Sequence, residues 1–193
     1  MQEKFKQILQ LDEIQWNDFA SSFKCVKVPA KTILLKEGEI SKKVFFIENG
    51  CVRAWFNNDG KDITFQFFFE NSTVASMESF RKKIPSNVSI ETIEPTTLWY
   101  VHKKDFDRII NEIGDNIQLR NKFIDAIFER TFEYMRHFLS FIKDTPTQRY
   151  LNLIKDKPQI VQRVPQHYIA SYLGISTVHL SRIKSSLAKE NHR

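Results

Sequence analysis

The chain of 193 residues has two cysteines, five glycines and five histidines, and no apolar run of membrane-spanning length. Cys25 and Cys51 are too few for a disulfide framework and lack the close pairing of a zinc or redox motif, so both are expected to be buried thiols. Two cysteines also exclude a four-cysteine iron–sulfur cluster. Only one histidine, His102, falls between residues 26 and 102, so a metal site built from two or three histidines on those strands is arithmetically impossible. Haem sensing has no support beyond that residue, which reads as a satisfied core or surface histidine. No Ser-His-Asp set, paired carboxylates or phosphate loop stands out, and an enzyme is not expected. The opening segment MQEKFKQILQLDEIQW lacks the continuous apolar core of a signal peptide. A folded cytoplasmic protein with no membrane partner is the expectation.

Acidic residues are scarce at one end. From Lys143 to Arg193 there are nine basic and three acidic residues, which account for the whole net charge of +6. An excess of positive charge confined to one segment suits a polyanion partner, because neutralising phosphates releases condensed counterions.

Three styles of sequence follow one another. Residues 1–23 carry apolar side chains at helical spacing (Phe5, Ile8, Leu9, Ile14, Trp16, Phe19, Phe23) and predict a helical opening segment. Residues 24–102 are rich in β-branched and aromatic residues, with turn signals at Gly38, Gly50, Asn57 to Gly60, Pro85 and Pro95. CVRAWF and DITFQFFF flank the NNDG turn as a hairpin, and many short strands at this spacing predict a jelly roll, a double-stranded β-helix. From residue 103 the pattern turns helical, so the fold class is α+β, with a connector and long helix over 103–143 and a last domain over 144–193.

Within that helix a seven-residue repeat runs through Ile117, Ile124, Thr131 and Phe138. Ile127 and Tyr134 follow at the complementary spacing, and Phe128 and Met135 lie alongside. A helix over 117–142 spans about 39 Å at 1.5 Å per residue, which suggests a spine or a dimer seam. It should stop at Asp144-Thr145-Pro146, where Thr145 and Gln148 form a capping-box pattern around Pro146 and begin the next helix.

The segment Gln166 to Ser185, QHYIASYLGISTVHLSRIKS, meets a demanding set of positions. Apolar residues fall at Ile169, Leu173, Ile175, Leu180 and Ile183. Ala170 permits a close helix crossing and Gly174 supplies the positive φ of a tight turn. Ser176 caps a second helix whose outward face presents Thr177, Val178, Ser181, Arg182 and Ser185. This pattern predicts a helix-turn-helix for double-stranded DNA. Arg182 is suited to a bidentate pair with guanine, Val178 to a thymine methyl, and Thr177 and Ser181 to bases or phosphates. Gln166, His179 and Lys184 are better placed for phosphates.

The domain order, TILLKEGE, VFFIENGCVRAWF, the Thr-Pro break followed by QRY, and the terminal motif together resemble the Crp/Fnr superfamily of regulators. That resemblance covers nearly the whole chain. It implies a cytoplasmic bacterial homodimer joined along the long helix, a palindromic DNA site, a small-molecule effector and contact with RNA polymerase. Cyclic-nucleotide-binding members hold the ribose with a Gly-Glu pair and the cyclic phosphate with an Arg-Ser pair. Here VASMESFRKKIPSNVSIETI places Ala75 and Ser76 at the first pair and Ser86 and Asn87 at the second. Without the arginine the phosphate loses its charged bidentate partner, so cyclic AMP is not expected as a tight ligand. Ser76, Met77, Glu78, Arg81, Ser86 and Asn87 are the effector-pocket candidates. Most relatives follow the recognition helix with a two-stranded wing, for which residues 187–193 leave no room. Two other readings stay open: a β-roll that is only a scaffold for constitutive DNA binding, and a terminal domain that binds a protein.

Overall fold

The computed structural model describes residues 13–112, 114 and 116–190. The predicted opening helix is seen as α1 (Glu13–Ala20), and the part of that segment before residue 13 lies outside the described residues. Eight strands follow: β1 (Lys24–Val28), β2 (Ile33–Leu35), β3 (Lys43–Asn49), β4 (Val52–Asn58), β5 (Lys61–Phe68), β6 (Thr73–Val74), β7 (Ser89–Thr92) and β8 (Thr96–His102). A short helix, α2 (Met77–Lys82), interrupts them between β6 and β7. The remaining elements are helical: α3 (Lys103–Glu112), α4 (Ile117–Lys143), α5 (Pro146–Asp156), α6 (Pro158–Arg163), α7 (Gln166–Tyr172) and α8 (Thr177–Glu190).

The strands make two four-stranded sheets, in the orders β1-β8-β3-β6 and β2-β7-β4-β5, a jelly roll followed by helices. In the first sheet β8 is central and antiparallel to both neighbours, with Lys24 opposite Tyr100 and Val44 opposite Val101. The pleat sends Val44 and Val101 inward to a core with Trp16, Phe19, Phe23, Phe80 and Ile109. The opening helix and α3 thus close one face of that sheet with aromatic and aliphatic side chains, and burial of such side chains stabilises by about 1.5–3 kcal/mol each.

One expectation fails here. Cys51 is buried, but Cys25 is exposed. β1 is the terminal strand of its sheet, paired on one side only, and most of its residues keep solvent contact.

The chain packs as two compact units. The described residues up to Val52 join Phe68–Thr131 in the first; Arg53–Phe67 join the described residues from Phe132 onward in the second. The later part of α4 is tied to the helices after it: His137 stacks on Tyr172 at 4.3 Å between ring centroids, Lys157 pairs with Glu133, and Arg149 lies over the Phe141 ring.

Candidate nucleic-acid interface

The helix pair near the C-terminus starts from a capped helix. The Thr145 hydroxyl accepts from the Gln148 N–H, and the Gln148 side chain accepts from the Thr145 N–H, with Pro146 opening α5. Two of the orphan donors of that terminus are therefore satisfied reciprocally. From α5 the Arg149 guanidinium donates twice to the Leu173 carbonyl at the end of α7, and once to the Asp144 carbonyl. A cation on the last carbonyls of a helix offsets their unsatisfied partial charge.

The turn from α7 to α8 passes through Gly174 at φ +67, the left-handed conformation that its position demands. A β-carbon there would lie 2.7 Å from Cε1 of Phe141. Ile169, Ala170, Leu173, Leu180 and Ile183 are all buried, so the two helices share an apolar seam, and Ala170 is small enough to let them cross closely. The Ser176 hydroxyl accepts from the His179 N–H and caps α8.

α8 turns its other side to solvent. Thr177, Val178, His179, Ser181, Arg182 and Ser185 are exposed, Val178 by 59%, and Lys184 is half-buried. The Ser185 hydroxyl donates back to the Ser181 carbonyl. Gln166 and Ser176 are exposed at the starts of α7 and α8. The outward face spans about two turns and carries small, mostly polar residues around a single guanidinium, with no acidic side chain between Thr177 and Lys189. The final residues, where a wing was not expected, lie outside the described residues from position 191.

A second face of α7 escaped the sequence reading. Tyr168, Ser171 and Tyr172 recur at helical spacing and meet the β4–β5 hairpin. The Ser171 hydroxyl accepts from the Thr64 N–H and donates to the Asp62 carbonyl, both at 2.9 Å. The Tyr168 ring covers the Arg53 guanidinium at 4.0 Å, and the Tyr172 ring meets Phe67 at 5.2 Å. Arg53 is only 2% exposed, is covered by Trp55 as well, and bonds Thr64 and Asp62. Two aromatics and a serine at i, i+3 and i+4 beside an apolar seam were the signal for this face. An arginine within the CVRAWF strand was the other.

Burial, aided by the neighbouring Lys157 charge and only partly opposed by Glu133, lowers the His137 pKa to about 4. Its ring is therefore neutral where it stacks on Tyr172. Burial likewise pushes the Tyr172 phenol well above its usual value.

The six effector-pocket candidates divide into two groups. Met77, Glu78, Arg81 and Asn87 are exposed, and Glu78 pairs with Lys82 one turn along α2. Ser76 precedes that helix and is half-buried. Ser86 is buried: its hydroxyl donates to the Val88 carbonyl, and its backbone exchanges bonds with Gly38 and Glu39. Ser79 ties α2 to this loop, accepting from the Ser41 N–H and donating to the Ile84 carbonyl. The Ser86-Asn87 loop presents no guanidinium, so the residues present do not fit a buried cyclic phosphate.

Along α4 the seam residues Ile117, Ile124, Ile127, Phe128, Thr131, Tyr134, Met135 and Phe138 are all exposed, Phe138 by 66%. Tyr134 also contacts Phe65 of the hairpin. Among the described residues no helix is long and apolar enough to cross a membrane, and no group of histidine, cysteine or carboxylate side chains is placed to hold a metal ion.

Residues 25–112 match the family model described as Cyclic nucleotide-binding domain. No curated protein matches the chain in sequence. Among solved structures it is similar to CLP of Xanthomonas campestris, described as a c-di-GMP responsive global regulator, with 16% identity over 93% of each chain and a TM-score of 0.73. It is similar to FixK2 of Bradyrhizobium japonicum, with 16% identity over 88% of this chain and 86% of that one and a TM-score of 0.71. A Crp/Fnr-family transcriptional regulator from Eubacterium rectale gives 16% identity over 94% and 85% of the two chains and a TM-score of 0.72. Residues 25–112 are thus similar to the cyclic nucleotide-binding domain, and the fold as a whole is similar to that of these Crp/Fnr-like structures.

Proposed function

We propose that this protein is a transcription regulator that reads a palindromic DNA site as a homodimer, with α7 and α8 forming a helix-turn-helix. The observation that carries the reading is the division of α8 into two faces. Leu180 and Ile183 are buried against α7, while Thr177, Val178, Ser181, Arg182 and Ser185 stand free on the other side. Such a face enters a major groove without an acidic side chain to repel the phosphates. The apolar side chains exposed along α4 supply the dimer seam, and two copies set two half-sites about 34 Å apart.

Fluorescence anisotropy on a random duplex across a salt series tests the first step: weak binding with no salt slope would sink the DNA reading. Selection of bound fragments from random DNA tests the second, with a palindrome expected. On the selected site Arg182→Ala should cost about 1–3 kcal/mol, with a smaller loss on random DNA. Equal losses on both would reduce Arg182 to a phosphate contact.

The effector, in this reading, is a small molecule other than cyclic AMP, because Ser86 is engaged within its own loop and no arginine accompanies it. The same observation favours a second reading, a β-roll that is only a scaffold for constitutive binding. A thermal-shift screen including cyclic AMP, cyclic di-GMP and common metabolites separates the two: a ligand that raises the melting temperature supports sensing, and none doing so supports the scaffold.

A further inference from the structure

We propose that the β4–β5 hairpin is part of the DNA-reading apparatus, with Ser171 and Arg53 as positioning residues that hold α7 and, through it, the reading face of α8. The proposal rests on the DNA reading given above and deepens it. β5 is the terminal strand of its sheet, so its outward backbone groups need partners. Thr64 and Asp62 lie two residues apart on that edge, and the single Ser171 hydroxyl serves both, accepting from one and donating to the other. A helical side chain thereby takes the place of a neighbouring strand.

The contacts on either side make this a clasp. One turn earlier Tyr168 lies over Arg53, whose guanidinium is held by Thr64 and Asp62 and covered by Trp55 on the same hairpin. Next to Ser171, Tyr172 packs between Phe67 of the hairpin and His137 of α4. The hairpin's own geometry is set by its turn, where Asp59 and Gly60 both adopt positive φ, as a two-residue type I′ connection requires. The clasp takes a face of α7 other than its seam with α8. It leaves Thr177, Val178, Ser181, Arg182 and Ser185 exposed, so it orients the reading face and does not mask it.

The test uses the full chain as Ser171→Ala, Ser171→Thr and Arg53→Met, with two readouts. Hydrogen exchange should show the Thr64 amide and the amides of α7 exchanging faster in Ser171→Ala while α5 stays protected. Anisotropy on the selected duplex should show about three- to tenfold weaker binding, the scale set by losing one or two net hydrogen bonds, with an unchanged salt slope. Ser171→Thr, which keeps the hydroxyl, should restore both. Arg53→Met should weaken binding in the same way if it folds, and Ser171→Ala decides the matter if it does not. Wild-type affinity and α7 protection in Ser171→Ala would overturn the proposal, as would tighter binding or a shallower salt slope, which would make these residues a restraint or phosphate contacts. If the unmodified protein binds no duplex at any salt, the DNA reading itself fails, and this assignment falls with it. The exchange readout then still reports whether the hairpin holds α7.

Discussion

Replacing Gly174 with alanine tests the turn on which the α7–α8 pair depends. Two penalties are expected. Gly174 sits at φ +67, and an alanine forced into the left-handed region costs about 1–2 kcal/mol. The new methyl would also lie 2.7 Å from Cε1 of Phe141. That ring is not free to swing aside, because Arg149 lies 4.7 Å over it and His137 meets it edge-on at 5.0 Å. Overpacking of this kind adds about 1–3 kcal/mol, so the total loss is about 2–5 kcal/mol. Urea unfolding followed by far-ultraviolet dichroism measures it. The two parts separate in a double-mutant cycle with Phe141→Ala, which removes the obstructing ring: Gly174→Ala in that background should retain only the backbone penalty. Gly174→Asn in the same background should lose less still, because asparagine tolerates the left-handed region. A loss below about 0.5 kcal/mol for Gly174→Ala in the native background would mean that the turn is not built as described.

Three further outcomes follow from particular contacts. Thr145→Ala removes the acceptor of a capping box and should destabilise by about 1 kcal/mol in the same urea experiment, with Thr145→Ser close to the unmodified protein. His137 has a pKa of about 4 in the folded chain against 6.5 unfolded. The unfolded state takes up its proton first, so stability should fall as pH drops from about 6.5 towards 4. His137→Phe, which keeps the ring on Tyr172, should flatten that part of the stability–pH curve, and an unchanged slope would refute the assignment. Ile124→Glu combined with Phe128→Glu should convert a dimer to a monomer in sedimentation velocity; an unchanged dimer would refute the α4 seam.

Periodicity carried much of the architecture. The strand-rich stretch, the hairpin around NNDG and the helix ending just before Asp144 all appear as the spacing predicts, because hydrophobic period and turn chemistry are local properties. The cap at Thr145, the left-handed Gly174 and the cap at Ser176 were legible for the same reason. What escaped was non-local. QHYIASY marks a second face of α7 by spacing but not that Ser171 bonds a strand edge more than a hundred positions earlier, and CVRAWF holds an arginine without showing that it is buried under Tyr168. The exposure of Cys25 depended on β1 being a terminal strand, a matter of sheet order that residue type does not encode. The effector candidates were placed by alignment with a motif that the chain lacks, and four of the six turned out to face solvent.

In the proposed function, the chemistry of α8 makes dimerisation and DNA reading depend on each other. One guanidinium on a short polar face can make one bidentate base contact, which supplies about 1–3 kcal/mol of discrimination. Specific sites are bound about 4–10 kcal/mol more tightly than random DNA, beyond what one such face provides. In the proposed dimer, two copies joined along α4 would double the base contacts, and the second half-site would then be met at high effective concentration. The paired substitution at Ile124 and Phe128 should therefore do more than separate the protomers. It should abolish preference for the selected palindrome over random duplex while leaving a residual, salt-sensitive affinity from the basic C-terminal segment. A monomeric variant that still prefers the palindrome would show that α8 reads more than its exposed residues provide, and that the α4 seam serves something other than DNA recognition.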